Sequence, residues 1–285
     1  MSKIVIVGST GYIAEAVINK CNTLKIDYVT VSRNPSLSDY FLDLDNSDFT
    51  DIEYISNGDT VVFLAAISSP DTCDLNFSNS FNINVINTIS FIKATLQKGA
   101  KVIFFSSDVV YGNIDAVNDE NSEDIHITSS YALMKLSVEK YFSTDTNFKI
   151  FRLSYVFSWN DKFMNYLHSN YNSNSIAEIF HPFYRKMIYL NDLIDALFCL
   201  IQNWLNYNDR SFNLCGDKFY SRLDLAEFYN KFVGPLKYLV VKPNRKFYKA
   251  RQEKINITSL NLHRLIYKEA TNIENAFLIE KKIYE

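Results

Sequence analysis

Residues 3–17 read KIVIVGSTGYIAEAV, and the rest of the chain is placed by that stretch. Lys3 to Val7 is a short β-branched run, it stops at Gly8-Ser9-Thr10-Gly11-Tyr12-Ile13-Ala14, and Ala16 and Val17 open a helical pattern. Strand, glycine turn and helix in that order let backbone N–H groups approach a pyrophosphate, and the helix N-terminus adds its favourable dipole. Gly8, Thr10, Gly11, Tyr12 and Ile13 are therefore candidate dinucleotide ligands. Ala14 fills the third glycine position, where a small side chain serves helix–strand packing. The chain has only 7 glycines, so Gly8, Gly11 and Gly112 carry more weight than glycines usually do.

Working outward, strand and helix signals alternate through residue 155. The strands are Asp27 to Ser32, Thr60 to Ala66, Lys101 to Ser106 and Phe148 to Leu153; Phe81 to Leu96 and Tyr131 to Phe142 read as helices. This is the pattern of an α/β fold with a doubly wound parallel sheet, a Rossmann arrangement. Residues 1–155 are expected to form the NAD(P)-binding domain, and residues 156–285 mostly a smaller C-terminal substrate-binding lobe with segments returning to the core. Within the lobe, 160–171, 191–204 and 222–232 read as helices, with Asn191 as N-cap of the second. In such sheets ligands bind beyond the carboxyl ends of the strands, where Gly8 to Ile13, Arg33, Ala65, Ala66 and Ser107 fall. The second strand ends in Ser32 and Arg33, where an NAD enzyme places an acid for the ribose hydroxyls. A guanidinium there suits a 2′-phosphate, so NADPH (NADP) is favoured over NAD.

Composition narrows the function classes. A chain of 285 residues, 47% hydrophobic and 15% aromatic, can bury one large core or a core plus a smaller lobe. No apolar run reaches the roughly 18 residues of a membrane helix, and the first residues already form a strand, so a cytoplasmic protein without a membrane partner is expected. Cys21, Cys73, Cys199 and Cys215 are scattered without metal-ligand spacing, which predicts reduced thiols and no metal site. A formal charge of −3 leaves no footprint for nucleic acid. The basic stretch Lys242 to Lys254 is the local exception; it reads as a solvated face in which Arg245 or Arg251 could meet a substrate phosphate.

The chemistry centres on Ser107, in SSDVVYG, and on Tyr131 and Lys135, in YALMK. One helical turn separates Tyr131 from Lys135 and puts them on one face. A cation about 4 Å from a phenol, at an effective dielectric of about 20, favours phenolate by about 4 kcal/mol. That corresponds to about three pKa units and brings Tyr131 close to working pH. Ser107 could then hold a substrate oxygen, Lys135 the nicotinamide ribose, and Tyr131 could pass the proton. His126 and His181 read as loop residues.

Taken together these stretches resemble the extended short-chain dehydrogenase/reductase family, the NAD-dependent epimerase/dehydratase superfamily, over residues 1 to about 215. The markers are GSTGYIA at 8–14, Asp43-Leu44, LAA at 64–66, Asn84 in NINVINT, SSDVVYG at 106–112, YALMK at 131–135, Arg152-Leu153 and YLNDL at 189–193. The resemblance implies that Ser107, Tyr131 and Lys135 are catalytic, and that Asp43 and Leu44 lie near the adenine. It implies that Leu64, Ala65, Ala66 and Asn84 line the cofactor together with Tyr131 and Lys135, and that Ser107, Asp108, Tyr131 and Arg185 meet a nucleotide-diphosphate sugar. A salt-bridged surface position is the other reading of Arg185, and a polar helix residue satisfying backbone that of Asn84. Dehydratase members carry an Asp-Glu pair where this chain has Asp108-Val109, so the segment is more similar to dTDP-4-dehydrorhamnose reductase-like 4-ketoreductases. The expected activity is NADPH-dependent reduction of a nucleotide-linked 4-keto-6-deoxysugar for surface polysaccharide or glycan biosynthesis. The alternatives are a nucleotide-sugar epimerase with tightly bound NAD and a non-catalytic NADP(H)-sensing regulator. Family members often have glycine where this chain reads Val156-Phe157-Ser158-Trp159; with Tyr155, that aromatic bulk is expected to reshape the sugar pocket. Relatives pair through helices like those at 81–96 and 131–142, which points to a homodimer.

Overall fold

A computed structural model of the chain describes residues 2–46, 49, 52–112, 116–123, 125, 127–244, 247–248 and 251–284. His126 and Arg245 lie outside the described residues. The strands in chain order are β1 (Ile4–Val7), β2 (Tyr28–Ser32), β3 (Tyr40–Phe41), β4 (Thr60–Phe63), β5 (Lys101–Ser107), β6 (Phe148–Leu153), β7 (Val156–Phe157), β8 (Ala177–Phe180), β9 (Tyr184–Arg185), β10 (Ile188–Tyr189), β11 (Ser211–Leu214), β12 (Tyr220–Ser221) and β13 (Tyr238–Val241). Seven of them form one parallel sheet in the order β11-β6-β5-β4-β1-β2-β3. The chain reverses direction across the sheet between β1 and β4, the switch point at which α/β sheets open a crevice. The lobe is stitched by the short pairs β7/β10, β9/β12 and β8/β13.

Strand alternation builds the two faces of the sheet. Ile4, Ile6, Val62, Ile103, Phe105 and Phe151 enter the larger core, whereas Val5, Val7, Val61, Phe63, Val102, Phe104 and Ile150 enter the other. Both faces are covered by helices, which is why these strands read as continuous apolar runs. Helix α1 (Tyr12–Leu24) packs beside α7 (Leu190–Gln202), so the second half of the chain returns to the first, as β11 also does at the sheet edge.

Three local expectations are corrected. The expected 81–96 helix is a run of α3 (Phe77–Phe81), a π-turn (Asn82–Asn87) and α4 (Thr88–Gln97), after the short α2 (Pro70–Leu75). Asn191 does not cap α7; Tyr189 holds that position without a side-chain cap bond, and Asn191 Nδ2 donates instead to the Tyr189 hydroxyl at 2.8 Å. Trp159 does not reach toward a sugar pocket. It stacks on Tyr284 and packs edge-on against Phe277, both in the terminal helix Ile273–Tyr284, while its backbone N–H donates to Glu280. Long-range aromatic packing claimed the residue, and local sequence does not register that.

Candidate functional site

At the carboxyl ends of β1, β2 and β4 lies a cavity of about 320 Å³. Gly8, Thr10, Gly11, Ser32, Arg33, Asp43, Leu44, Leu64, Ala65 and Ala66 all line it. The fold demands Gly8: its φ is +87°, and a Cβ there would lie 2.7 Å from the Ala65 backbone nitrogen. Gly11 is different, since an added Cβ meets nothing within 4 Å. Its bareness leaves the start of α1 open, and that helix has no side-chain cap on its first N–H groups. A free helix N-terminus over a glycine turn is a ready anion seat. Tyr12 and Ile13 point the other way, into the larger core, with Tyr12 Oη donating to the Val156 carbonyl at 3.4 Å.

Among the described residues that line the cavity, Arg33 is the cation and Asp43 and Asp45 are the carboxylates. Ser32 is buried, and its hydroxyl is turned inward, accepting from Asn34 N–H at 3.0 Å and lying 3.0 Å from Ser38 Oγ. Asp39 is also spent: its Oδ2 accepts from both the backbone and the hydroxyl of Thr30 at 2.8 Å. Arg33 is exposed and lines the wall.

The π-turn supplies what the sequence did not reveal. Asn84 is buried and grips the Ile67 backbone from both sides, accepting its N–H at 2.8 Å and donating to its carbonyl at 2.9 Å. Asn87, three positions on, donates to the Leu44 carbonyl at 2.7 Å. The two asparagines thus hold the loop after β4 and the loop of Asp43 and Leu44, the two walls of the cavity. Asn84 acts on the backbone, and Asn87 was not singled out by any motif; only its long-range contact identifies it.

Ser107, Tyr131 and Lys135 come together where β5 ends and α5 (Ser130–Tyr141) begins. Lys135 is 4% exposed; its Nζ donates to the Phe105 carbonyl at 2.8 Å and lies 5.8 Å from the Tyr131 ring centroid. Burial pushes the Lys135 ammonium down to about 8, against the opposing pull of Glu139 and Cys73. The expected lowering of the Tyr131 phenol is not found. Burial, then Cys73 and Asp108, raise it above its ordinary value, and the Lys135 ammonium makes its hydrogen bond to the Phe105 carbonyl instead. Ser107 Oγ donates to Asp108 Oδ1 at 3.1 Å, and Ser154 Oγ donates to Oδ2 at 3.1 Å. Asp108 is buried and pushed upward by desolvation, with Arg185, Ser107 and Ser154 opposing.

Arg185 is buried, not a surface residue. It donates to the carbonyls of Tyr184, Gln252 and Glu253 at 2.6, 3.0 and 3.4 Å, and its Nε lies 3.8 Å from Asp108. Those contacts bind the strap after residue 251 to β9, and Gln252 extends the tie to the Gly112 carbonyl and the Thr128 hydroxyl. Arg251 pairs bidentately with Asp71 of α2 at 2.8 and 2.6 Å. That ion pair walls a second cavity, of about 630 Å³, which also meets Phe180, Val241 and Phe247. His181 Nε2 lies 3.4 Å from the Tyr184 hydroxyl. All four cysteines are free thiols, three of them buried. Among the described residues no cluster of His, Cys, Asp or Glu could hold a metal ion, and no helix is long and apolar enough to cross a membrane.

Residues 4–215 match the model of the NAD dependent epimerase/dehydratase family. Curated proteins give no match to the chain. Solved structures do. A dTDP-4-dehydrorhamnose reductase from Bacillus anthracis in complex with NADP superposes with a TM-score of 0.82 at 17% identity, covering 100% of this chain and 98% of that one. DesIV, a dTDP-glucose 4,6-dehydratase from Streptomyces venezuelae with NAD and TYD bound, gives 0.79 at 14%, with coverage of 99% and 96%. A UDP-glucuronic acid 4-epimerase from Bacillus cereus in complex with UDP-glucuronic acid and NAD gives 0.77 at 19%, with coverage of 99% and 100%. At such identities the likeness establishes the fold.

Proposed function

Since the chain belongs to the NAD dependent epimerase/dehydratase family, we propose that it is an NADPH-dependent reductase of a nucleotide-linked 4-keto-6-deoxysugar, serving surface polysaccharide or glycan assembly. The observation that carries this reading is Arg33, exposed on the wall of the cavity at the carboxyl ends of β1, β2 and β4, where a guanidinium suits the 2′-phosphate of a dissociable NADPH and a retained NAD would call for an acid.

The cavity fits a dinucleotide through the open N-terminus of α1 and the backbone of Gly8 to Gly11, with Arg33 set to receive a 2′-phosphate. NADPH bound there would supply hydride to the keto carbon. Tyr131 would give its proton to the oxygen, and Ser107 would orient that oxygen. Lys135, whose pKa burial pushes down to about 8, stands beside the phenol and would hold the nicotinamide ribose and return the proton. Asp108 is followed by Val109 and not by the second carboxylate of an Asp-Glu pair, and its own carboxyl is shared among Ser107, Ser154 and Arg185. The nucleoside would enter the cavity bounded by Phe180, Val241 and Phe247.

Incubation of the purified protein with a nucleoside-diphosphate 4-keto-6-deoxysugar and NADPH tests this directly. Stoichiometric loss of reduced-nicotinamide absorbance with formation of the deoxysugar is expected. Isomerised sugar without net NADPH consumption, with NAD released on denaturation, would replace the reductase by an epimerase. Inactivity toward every keto-sugar, with a protein partner that binds according to the NADP⁺/NADPH ratio, would replace it by a sensor.

A further inference from the structure

In the lobe, two guanidiniums share one aromatic ring. Arg185 Cζ lies 4.2 Å from the centroid of Phe183, and Arg222 Cζ lies 5.5 Å from it. Arg185 is fully occupied by three carbonyls and Asp108. Arg222 is not. It opens α8 (Arg222–Phe232), with its Cζ 5.1 Å from the Phe163 ring, and its Nε is buried without a hydrogen-bond partner.

The acids around it are spent. Asp161 Oδ1 takes the Tyr155 hydroxyl at 2.6 Å and the N–H groups of Phe163 and Met164, while Oδ2 takes the Ser158 N–H. Asp224 closes a capping box with Ser221. Asp71 is matched by Arg251. Arg185 has Asp108 at 3.8 Å and Arg251 has Asp71 at 2.6 Å, whereas the Asp161 oxygens near Arg222 are taken by a hydroxyl and by backbone N–H groups. Two further buried atoms without partners, His181 Nδ1 and Gln252 Oε1, border the same 181–185 segment.

A guanidinium with one N–H buried and left unpaired is costly. Its fork is matched by an oxyanion, with which it forms two charge-assisted hydrogen bonds. The position is next to the chemistry: Arg222 shares the Phe183 ring with Arg185, whose Nε lies 3.8 Å from Asp108, the carboxylate that takes Ser107 Oγ.

We infer that Arg222 is a ligand for an oxyanion of the substrate, fixed in place by Phe163 and by the Phe183–Arg185 stack; this rests on the nucleotide-sugar reading above. The oxyanion is either the diphosphate or an acidic substituent on the sugar, and one titration separates the two. Calorimetry with UDP, dTDP, UDP-glucose and UDP-glucuronic acid is compared for the wild type, Arg222→Gln and Arg222→Lys, alongside NADPH affinity and melting temperature.

Arg222→Gln is expected to weaken binding about tenfold or more, with NADPH affinity and melting temperature unchanged and partial recovery in Arg222→Lys. Equal loss on every probe assigns the oxyanion to the diphosphate; loss on UDP-glucuronic acid alone assigns it to the sugar. If Arg222→Gln does not fold, the lysine variant carries the test, since its compact charge cannot pair bidentately and should bind severalfold more weakly. Variants matching the wild type on every probe overturn the inference and leave the functional reading standing. A wild type that binds none of the four probes overturns both.

Discussion

The cavity at β1, β2 and β4 and the lobe that follows β6 are held together by different physics. Around the cavity at β1, β2 and β4, shape comes from backbone geometry and neutral hydrogen bonds: Gly8 at φ +87°, an uncapped helix start, and Asn84 and Asn87 on two loop backbones. In the lobe, cations tie the chain together, with Arg185 on three carbonyls and Arg251 on Asp71. Neutral clamps keep their partners when an anionic ligand arrives, whereas guanidiniums bound to carbonyls and surface carboxylates can exchange them. The first region is therefore preformed, and the second is a set of contacts open to exchange with an anion.

Chemistry at the junction of the two regions gives the largest expected effect. Tyr131→Phe should lower kcat by about 10² to 10⁴ while leaving NADPH affinity within about twofold, read by steady-state kinetics and fluorescence titration. A phenylalanine variant with wild-type kcat would remove Tyr131 from the mechanism. Next, Arg185→Gln leaves Asp108 without its buried cation and frees the strap after residue 251. A loss of about 3 kcal/mol in denaturant unfolding is expected, with hydrogen exchange accelerated in the strap and NADPH affinity retained. Loss of cofactor affinity instead would mean that the two regions are not energetically separate.

A smaller effect concerns Lys135. Its folded pKa of about 8 lies below the unfolded value of about 10.4, so between them the unfolded chain binds more protons. Stability from this group therefore rises with pH through that window, by at most about 1.4 kcal/mol per unit, and the burial penalty is fully present below it. Unfolding of Lys135→Met and wild type without cofactor, followed from about pH 8 to pH 10, should show the variant's advantage shrinking as pH rises. A constant difference would refute the buried-ammonium account. The smallest effect is Asn87→Ala, expected to cost about 1 kcal/mol, or about fivefold, in NADPH affinity with kcat at saturation unchanged. If kcat fell and affinity did not, Asn87 would be acting on the reacting end of the cavity.

What was legible in the sequence divides along the same line. The sheet, the glycine turn and the Tyr131–Lys135 pair could be read because each rests on spacing within a few residues: strand alternation, the bare Gly8, one turn of helix. Burial is a property of the whole fold and could not be read that way. The Tyr131 phenol was expected to fall, and burial raises it instead. Arg185 could be ranked as a diphosphate ligand or a surface residue, but its ties to carbonyls 67 and 68 positions away depend on how the strap returns. Asn87 and Arg222 had no local signature at all. One declares itself by a bond to Leu44, the other by a buried nitrogen with no partner.

The π-turn at Asn82–Asn87 has a consequence for how this chain can change. Each residue rotates a regular helix by about 100°, so shortening the segment by one residue would turn Asn87 away from Leu44 while Asn84 stayed on Ile67. The turn behaves as a length gauge between the two loops. Within those six positions a change in residue count becomes a change in cavity width.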